Sequence, residues 1–197
     1  MGSQQAGYFG FQPVAPPLPG QIKTCYISTT SGVAWGVGDP VDLLGTGDTA
    51  GFYPEVCLAT AGATNPIYGV ILGFVPTIDT LYTPYRAAST ARYCFVCVDP
   101  LMEYEIQAGA TVLGATTIGL NAVLKSGSVN AYTGISGWYM DSGDTTAPSA
   151  NATYQLLIMG AANRPNNDIT QAYAVWRVQI SLKRGVAPSA SLGALGV

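Results

Sequence analysis

AVWRVQISL, residues 174–182, decides the fold class. Ala174, Trp176, Val178, Ile180 and Leu182 fall on one side of a two-residue period, and Val175, Arg177, Gln179 and Ser181 fall on the other. An extended strand sends alternate side chains to opposite faces, so this stretch reads as a strand with one face toward a core and one toward solvent. The same period runs through LMEYEIQ, residues 101–107, where Met102, Tyr104 and Ile106 oppose Leu101, Glu103, Glu105 and Gln107. Further strand candidates start at Ile22 (IKTCYIS), Pro40 (PVDLL), Tyr53 (YPEVCLA), Ile67 (IYGVILGFV), Arg92 (RYCFVCV), Leu120 (LNAVLK), Gly137 (GWYMD) and Thr153 (TYQLLIMG). Between them GTGDTAG, SGSVN, DSGDTTAPSAN and NRPNND collect the residues that accept positive φ or preset a turn. No segment repeats helical spacing with caps. Many short strands punctuated in this way predict an all-β chain built as a single barrel or sandwich domain.

The two ends break the pattern. Residues 1–20 hold four prolines and four glycines with no period, and the stretch from Gly185 to the C-terminus is similar. The expected organisation is an extended N-terminal arm over 1–20, a β body over 21–184 and a C-terminal tail over 185–197. Both ends carry apolar residues, among them Tyr8, Phe9, Phe11, Leu18, Leu192, Leu195 and Val197. A segment too poor in core-forming pattern to fold alone, yet apolar, is expected to be mobile in the free chain and ordered by a partner. On this reading, deleting residues 1–20 leaves the body folded.

Composition limits what the partner can be. Of 197 residues only 10% are charged while 48% are hydrophobic, and the mean hydropathy is +0.27. A surface this poor in charge is expected to be covered in an assembly. A membrane is not the expected cover, because the longest apolar candidate, residues 67–78, is interrupted by Gly69, Gly73 and Pro76 and is too short to span. The N-terminus has neither the basic region nor the continuous apolar region of a secretory signal. Nucleic acid is not the expected partner either, since the eight basic residues are scattered along the chain and the net charge is −3.

Catalytic and metal chemistry find few residues to use. The chain has no histidine, which removes Ser-His-Asp and Cys-His arrangements and histidine metal sites. Cys94 and Cys97 share the C-x-x-C spacing of redox and zinc sites, but within a strand an odd separation points them to opposite faces. They are expected to pack as small buried hydrophobes, without zinc, in a chain made in a reducing cytoplasm. Glu103 and Glu105 lie on one strand face about 7 Å apart by strand rise, a separation that also occurs in glycosidases. A solvated acidic strand face is the simpler reading. GTGDTAG lacks the Lys-Ser/Thr pair of a phosphate-binding loop and reads as a turn. No catalytic residue, cofactor or metal is therefore expected.

The order of segments GDPV from Gly38, GVILGF from Gly69, YRAASTARYCFVCVDPLMEYEIQ from Tyr85, IGLNA from Ile118, GSVNAYTGISGWYMD from Gly127, QLLIMGAANRPNNDI from Gln155 and WRVQI from Trp176 resembles a tailed-bacteriophage family. These are the capsid cement or head decoration proteins. STARY, DP-x-x-EYEIQ and RPNND are the most specific pieces, and the resemblance spans about residues 22–184. It implies a β-barrel or β-tulip-like sandwich that binds the outer capsid surface of a virion made in a bacterial cytoplasm. It further implies the major capsid protein as partner and self-association, as a trimer or a dimer. Candidate contacts are Tyr8, Phe9 and Phe11 on the arm, and Tyr82, Tyr85, Arg86 and Arg164 in loops. Two other readings stand beside it: a receptor- or glycan-binding module stacking sugars on Trp138 and Tyr139 beside the DSGD turn, and a polysaccharide hydrolase using Glu103 and Glu105.

Overall fold

The computed structural model describes residues 4–78 and 81–185. Twelve strands and one 3-10 turn at Ala115–Thr117 occur among the described residues, with no α-helix, so the all-β expectation holds. Two longer groups of strands form the body. The first comprises β2 (Ile22–Ile27), β3 (Pro40–Gly47), β4 (Pro54–Leu58), β5 (Gly69–Phe74) and β6 (Arg92–Cys97). Their pairings run β2-β4-β3-β5-β6 and return from β6 to β2, with β2 and β4 meeting only at Tyr26 and Glu55. The second is a sheet in the order β1-β7-β12-β11-β8, built from β1 (Gln12–Pro13), β7 (Glu103–Gln107), β12 (Val175–Ile180), β11 (Leu156–Ala161) and β8 (Asn121–Ala122). A small pair, β9 (Leu124–Lys125) and β10 (Tyr139–Met140), completes the set.

Two apolar clusters follow from these pairings. One draws Cys25, Ile27, Val41, Val56, Ile71, Cys94 and Val96 from the first five strands and adds Trp35. The other lies under the five-stranded sheet and includes Phe11, Ile67, Val70, Cys97, Tyr104, Ile106, Leu156, Trp176, Val178 and Ile180. In β12 the alternation is as read: Trp176, Val178 and Ile180 are buried while Val175, Arg177 and Gln179 are half-buried on the outer face. The outer face of β7 likewise carries Glu103 and Glu105, which pair with Arg177 and Arg164 respectively.

Strand geometry also accounts for the cysteines. Cys94 belongs to the first cluster, in register with Cys25 across β2, and Cys97 belongs to the second. They stand on opposite faces of β6, as the odd spacing requires. All four cysteines are free thiols. Burial pushes the Cys25 thiol up to about 11 and raises Cys94 further, which keeps both protonated and unreactive at neutral pH.

The N-terminal segment differs from expectation. Phe11 is buried in the second cluster, edge-on to Tyr104 with ring centroids 5.3 Å apart. Its N–H donates to the Gly38 carbonyl at 3.0 Å, and Gly10 N–H donates to the Trp138 carbonyl at 3.0 Å. β1 then adds an edge to the sheet, placing Gln12 opposite Glu105 and Pro13 opposite Tyr104. Pro13 suits that edge because an edge strand can spare an N–H. Residues 1–20 are therefore not separate from the core as the sequence led us to expect. Phe11 is a core residue, while Ala15, Pro16 and Leu18 to Gly20 are exposed. Gly10 explains the tight entry: its φ is +64°, and a Cβ there would lie 2.4 Å from Ser136 Cβ. Apart from Gly185, the C-terminal tail lies outside the described residues, including Leu192, Leu195 and Val197. No helix among the described residues is long and apolar enough to cross a membrane.

Candidate interaction face

Three loops, residues 28–38, 81–91 and 126–137, are tied together by backbone contacts and one buried arginine. Trp35 and Arg86 exchange backbone hydrogen bonds of 2.9 Å in both directions. The Arg86 guanidinium, 0% exposed, donates from Nε to the Thr90 carbonyl at 2.6 Å. Its Nη1 donates to the carbonyls of Ser31 at 2.9 Å and Val33 at 2.7 Å, and its Nη2 to that of Ser28 at 2.6 Å. The cation also lies 5.6 Å from the centre of the Trp35 ring. Arginine suits this place because its planar fork can satisfy several carbonyls at once. Arg92 anchors the outgoing end in the same manner, reaching the carbonyls of Thr83 and Tyr85 from Nη1 at 3.1 and 2.6 Å.

The third loop is joined by Val37, whose N–H donates to the Gly134 carbonyl and whose carbonyl accepts from Ser136 N–H, each at 2.9 Å. Gly134 is required where it stands. Its φ is +72°, and a Cβ would come 2.7 Å from Pro84 Cβ of the second loop.

The anchored loops display large apolar side chains. Tyr82 is 86% and Tyr132 94% exposed, with Leu81 and Val33 also exposed and Ile78 exposed just before the second loop. Within residues 28–38, 81–91 and 126–137 Arg86 is the one charged residue, and it is wholly buried, as is Asp39 next to the first loop; Asp79, near the second, lies outside the described residues. The exposed surface of the described residues of these loops is thus neutral, with aromatic and aliphatic tips carried on loops that are tied together at Trp35, Val37, Arg86 and Gly134. Among the loops lies a cavity of about 520 Å³ lined by Val33, Tyr85, Val129, Ala131, Trp138 and Asp39, among others.

Asp39 is 2% exposed. Gly36 N–H donates to its Oδ2 at 2.7 Å. Burial pushes its pKa up to about 6, against the opposing pull of the Ser136 hydroxyl and the Gly36 N–H. No hydrogen bond of normal geometry reaches Oδ1.

The structure groups the candidate contacts differently from the sequence. Tyr82 is exposed, Tyr85 is half-buried in the cavity wall, and Arg86 ties the loops from within. Arg86 is thereby corrected from a contact to a structural anchor, as Phe11 is to a core residue. Tyr8 stacks on Tyr139 with centroids 4.0 Å apart and an interplanar angle of 9°, and Phe9 is half-buried. Arg164 lies by a small polar cavity with Gln5, Gln107 and Tyr173. The sequence reading missed Val33, Tyr132 and Asp39. Isolated apolar residues inside uncharged loops were the available signal for the first two.

The proposed sugar platform is not open. Trp138 is buried and one face of Tyr139 is taken by Tyr8. The DSGD turn is saturated internally: Asp141 Oδ1 accepts from the N–H groups of Gly143, Asp144 and Thr145, and Oδ2 from that of Thr146. Compared with known proteins, the chain matches no family model, no curated protein and no solved structure.

Proposed function

We propose that this chain is a structural virion protein, a capsid cement or head decoration protein that binds the outer surface of a phage capsid and holds neighbouring capsomers together. The observation that carries the reading is that, among the described residues of these loops, the exposed surface is uncharged and displays Tyr82, Tyr132, Leu81 and Val33. Interface cores favour aromatic residues and shed charge, and loops already tied to one another lose less entropy when they dock. In this reading the first five strands form a barrel that carries the loops, and the second sheet braces it. Copies associate as a trimer or a dimer, and the major capsid protein is the partner. No chemistry is needed. A shell under internal pressure fails where capsomers separate, so a protein bound across the seam raises the energy of separation, and repetition over the shell multiplies modest contacts.

The segment resemblance supports the capsid as the surface, and the ion pairing of Glu103 and Glu105 on an open strand face supports a role other than hydrolysis. Binding of the purified chain to shells lacking it tests the reading by co-sedimentation. Saturation at a fixed ratio to the major capsid protein is expected. Replacing Tyr82 and Tyr132 together with alanine should weaken binding about tenfold or more while leaving thermal unfolding unchanged. Undiminished binding by that variant would contradict the assignment of the face.

A further inference from the structure

We propose that the proline-rich segment at residues 13–19 of one copy docks on a row of tyrosines, Tyr26, Tyr93 and Tyr53, on a second copy, so that the chain carries both halves of its own self-association contact. The inference deepens the proposed function and rests on it only for the expectation that copies associate.

The segment PVAPPLP has prolines at 13, 16, 17 and 19. A proline fixes its own φ and biases the residue before it toward extended backbone, so every position but Val14 is confined. A run of this kind favours polyproline II, three residues to a turn, which sets Pro13, Pro16 and Pro19 along one edge. Both ends are held. The Val14 N–H donates to the Glu103 carbonyl and the Gln21 N–H to the Leu18 carbonyl, each at 3.0 Å. The second bond closes a turn over Pro19 and Gly20, whose φ of +83° suits the third position of a type II turn. Between these ties the fold covers little: Val14, Pro16 and Leu18 are exposed.

The row stands on the outer face of β2 and β6, opposite to Cys25, Cys94 and Val96. Tyr26 and Tyr93 are in register, with ring centroids 5.3 Å apart and planes tilted by 50°. Tyr53, just before β4, lies edge-on to Tyr93 at 5.3 Å and 69°. Rings tilted in this way leave clefts between them, where a flat stack would leave none. Phe52 beside Tyr53 is 79% exposed, and Phe95, on the same face of β6 as Tyr93, is also exposed. Asp48 fixes the arrangement from beneath: its Oδ1 accepts the N–H groups of Phe52 and Tyr53, and its Oδ2 accepts the Tyr93 hydroxyl at 3.2 Å. The hydroxyls of Tyr26 and Tyr53 have no such acceptor among the described residues.

Segment and row match in kind. Aromatic-lined clefts take polyproline II segments because these are ordered before they bind. Four of the seven residues are prolines and lack an N–H, so the segment presents carbonyl acceptors, and Tyr26 and Tyr53 present hydroxyl donors. The segment brings no charge, and the carboxylate beneath the row is already occupied. Within one copy the two are held apart. The Gln21 carbonyl is tied to the Val98 N–H at 2.8 Å, and Val98 lies roughly 16 Å along the strand from Tyr93 by strand rise. A contact between unlike patches on two copies repeats around a closed ring, such as the proposed trimer, or is exchanged reciprocally in a dimer.

Sedimentation of the full chain from micromolar to millimolar concentration, with and without a synthetic peptide of residues 12–20, tests this. The chain should self-associate, and the peptide should compete while shifting the ring resonances of Tyr26, Tyr53 and Tyr93. Pro16→Ala with Pro17→Ala in one variant, and Tyr53→Ala in another, should each weaken association about tenfold or more, with thermal unfolding showing both folded. Mixing the two variants is the sharper arm: one keeps its row and the other its segment, so pairs should form where neither variant associates alone. A chain that stays monomeric and ignores the peptide, association untouched by both variants, or no pairing in the mixture overturns the inference. So does a monomeric chain whose Tyr53→Ala variant loses shell binding, because the row then faces the shell. Shell binding without self-association leaves the clamp standing. Peptide-sensitive association without shell binding upholds the contact and removes the clamp.

Discussion

Replacing Arg86 with methionine is expected to cost about 3–5 kcal/mol of folding stability, the scale seen when a buried charged network loses one partner. The size follows from where the guanidinium's hydrogen bonds go. Four carbonyls, those of Ser28, Ser31, Val33 and Thr90, accept from it, and methionine can fill the volume but donate to none of them. Each buried acceptor left without a donor costs about 1–3 kcal/mol. Loops near the surface recover part of that loss by admitting water, which brings the sum down. Lysine should rescue only partly, since its three donors radiate from one point and cannot span acceptors on both loops. Urea unfolding at neutral pH measures the difference. A loss below about 1 kcal/mol, the range of ordinary surface changes, would show that the carbonyls are satisfied without the arginine.

Phe11→Ala should cost about 3–4 kcal/mol, as expected for emptying a phenylalanine site in a close-packed core. The ring lies against Tyr104 in the cluster beneath the five-stranded sheet, and the chain on either side is pinned by Gly10, β1 and the Val14 N–H to Glu103 carbonyl bond of 3.0 Å. Deleting residues 1–13 should cost more than the point change, because it also strips the edge pairing from β7. Deleting only residues 1–6 should cost about 1 kcal/mol or less, the usual scale for a few peripheral hydrogen bonds. Thermal unfolding of the three variants separates these outcomes. Equal stability of the 1–13 deletion and the full chain would mean that the segment is an independent arm after all.

The contrast between Phe11 and Trp176 shows what the sequence reveals and what it conceals. Trp176 sits in a run of nine residues that keeps its period, so its burial could be read directly. Phe11 lies between glycines and prolines, and a single anchoring residue has no period to disclose it. Cys94 and Cys97 were legible for the same reason as Trp176, because spacing within a strand fixes facing. Arg86 was not. A buried arginine is stabilised by carbonyls from residues as far away as Ser28, and backbone acceptors leave no trace in the identity of the residues that supply them. Asp39 was hidden in another way, since it stands just before β3 with no period of its own, and its neighbours in the fold, Trp138 and the loop at 126–137, are remote in sequence.

The face itself was half visible. Tyr82 and Tyr85 could be named as loop aromatics, whereas the meeting of three loops depends on long-range contacts such as Val37 with Ile135 and Gly134 with Pro84.

The central claim is that the chain binds a shell and raises its resistance to disruption, and the temperature at which particles release their genome tests it most directly. Particles prepared without the chain should release at lower temperature than complete ones, since a bound protein stabilises the state it prefers. Adding purified chain should restore the temperature, with saturation at a fixed ratio to the major capsid protein, and the Tyr82 and Tyr132 alanine variant should restore it poorly. Identical release temperatures with and without the chain would contradict the claim.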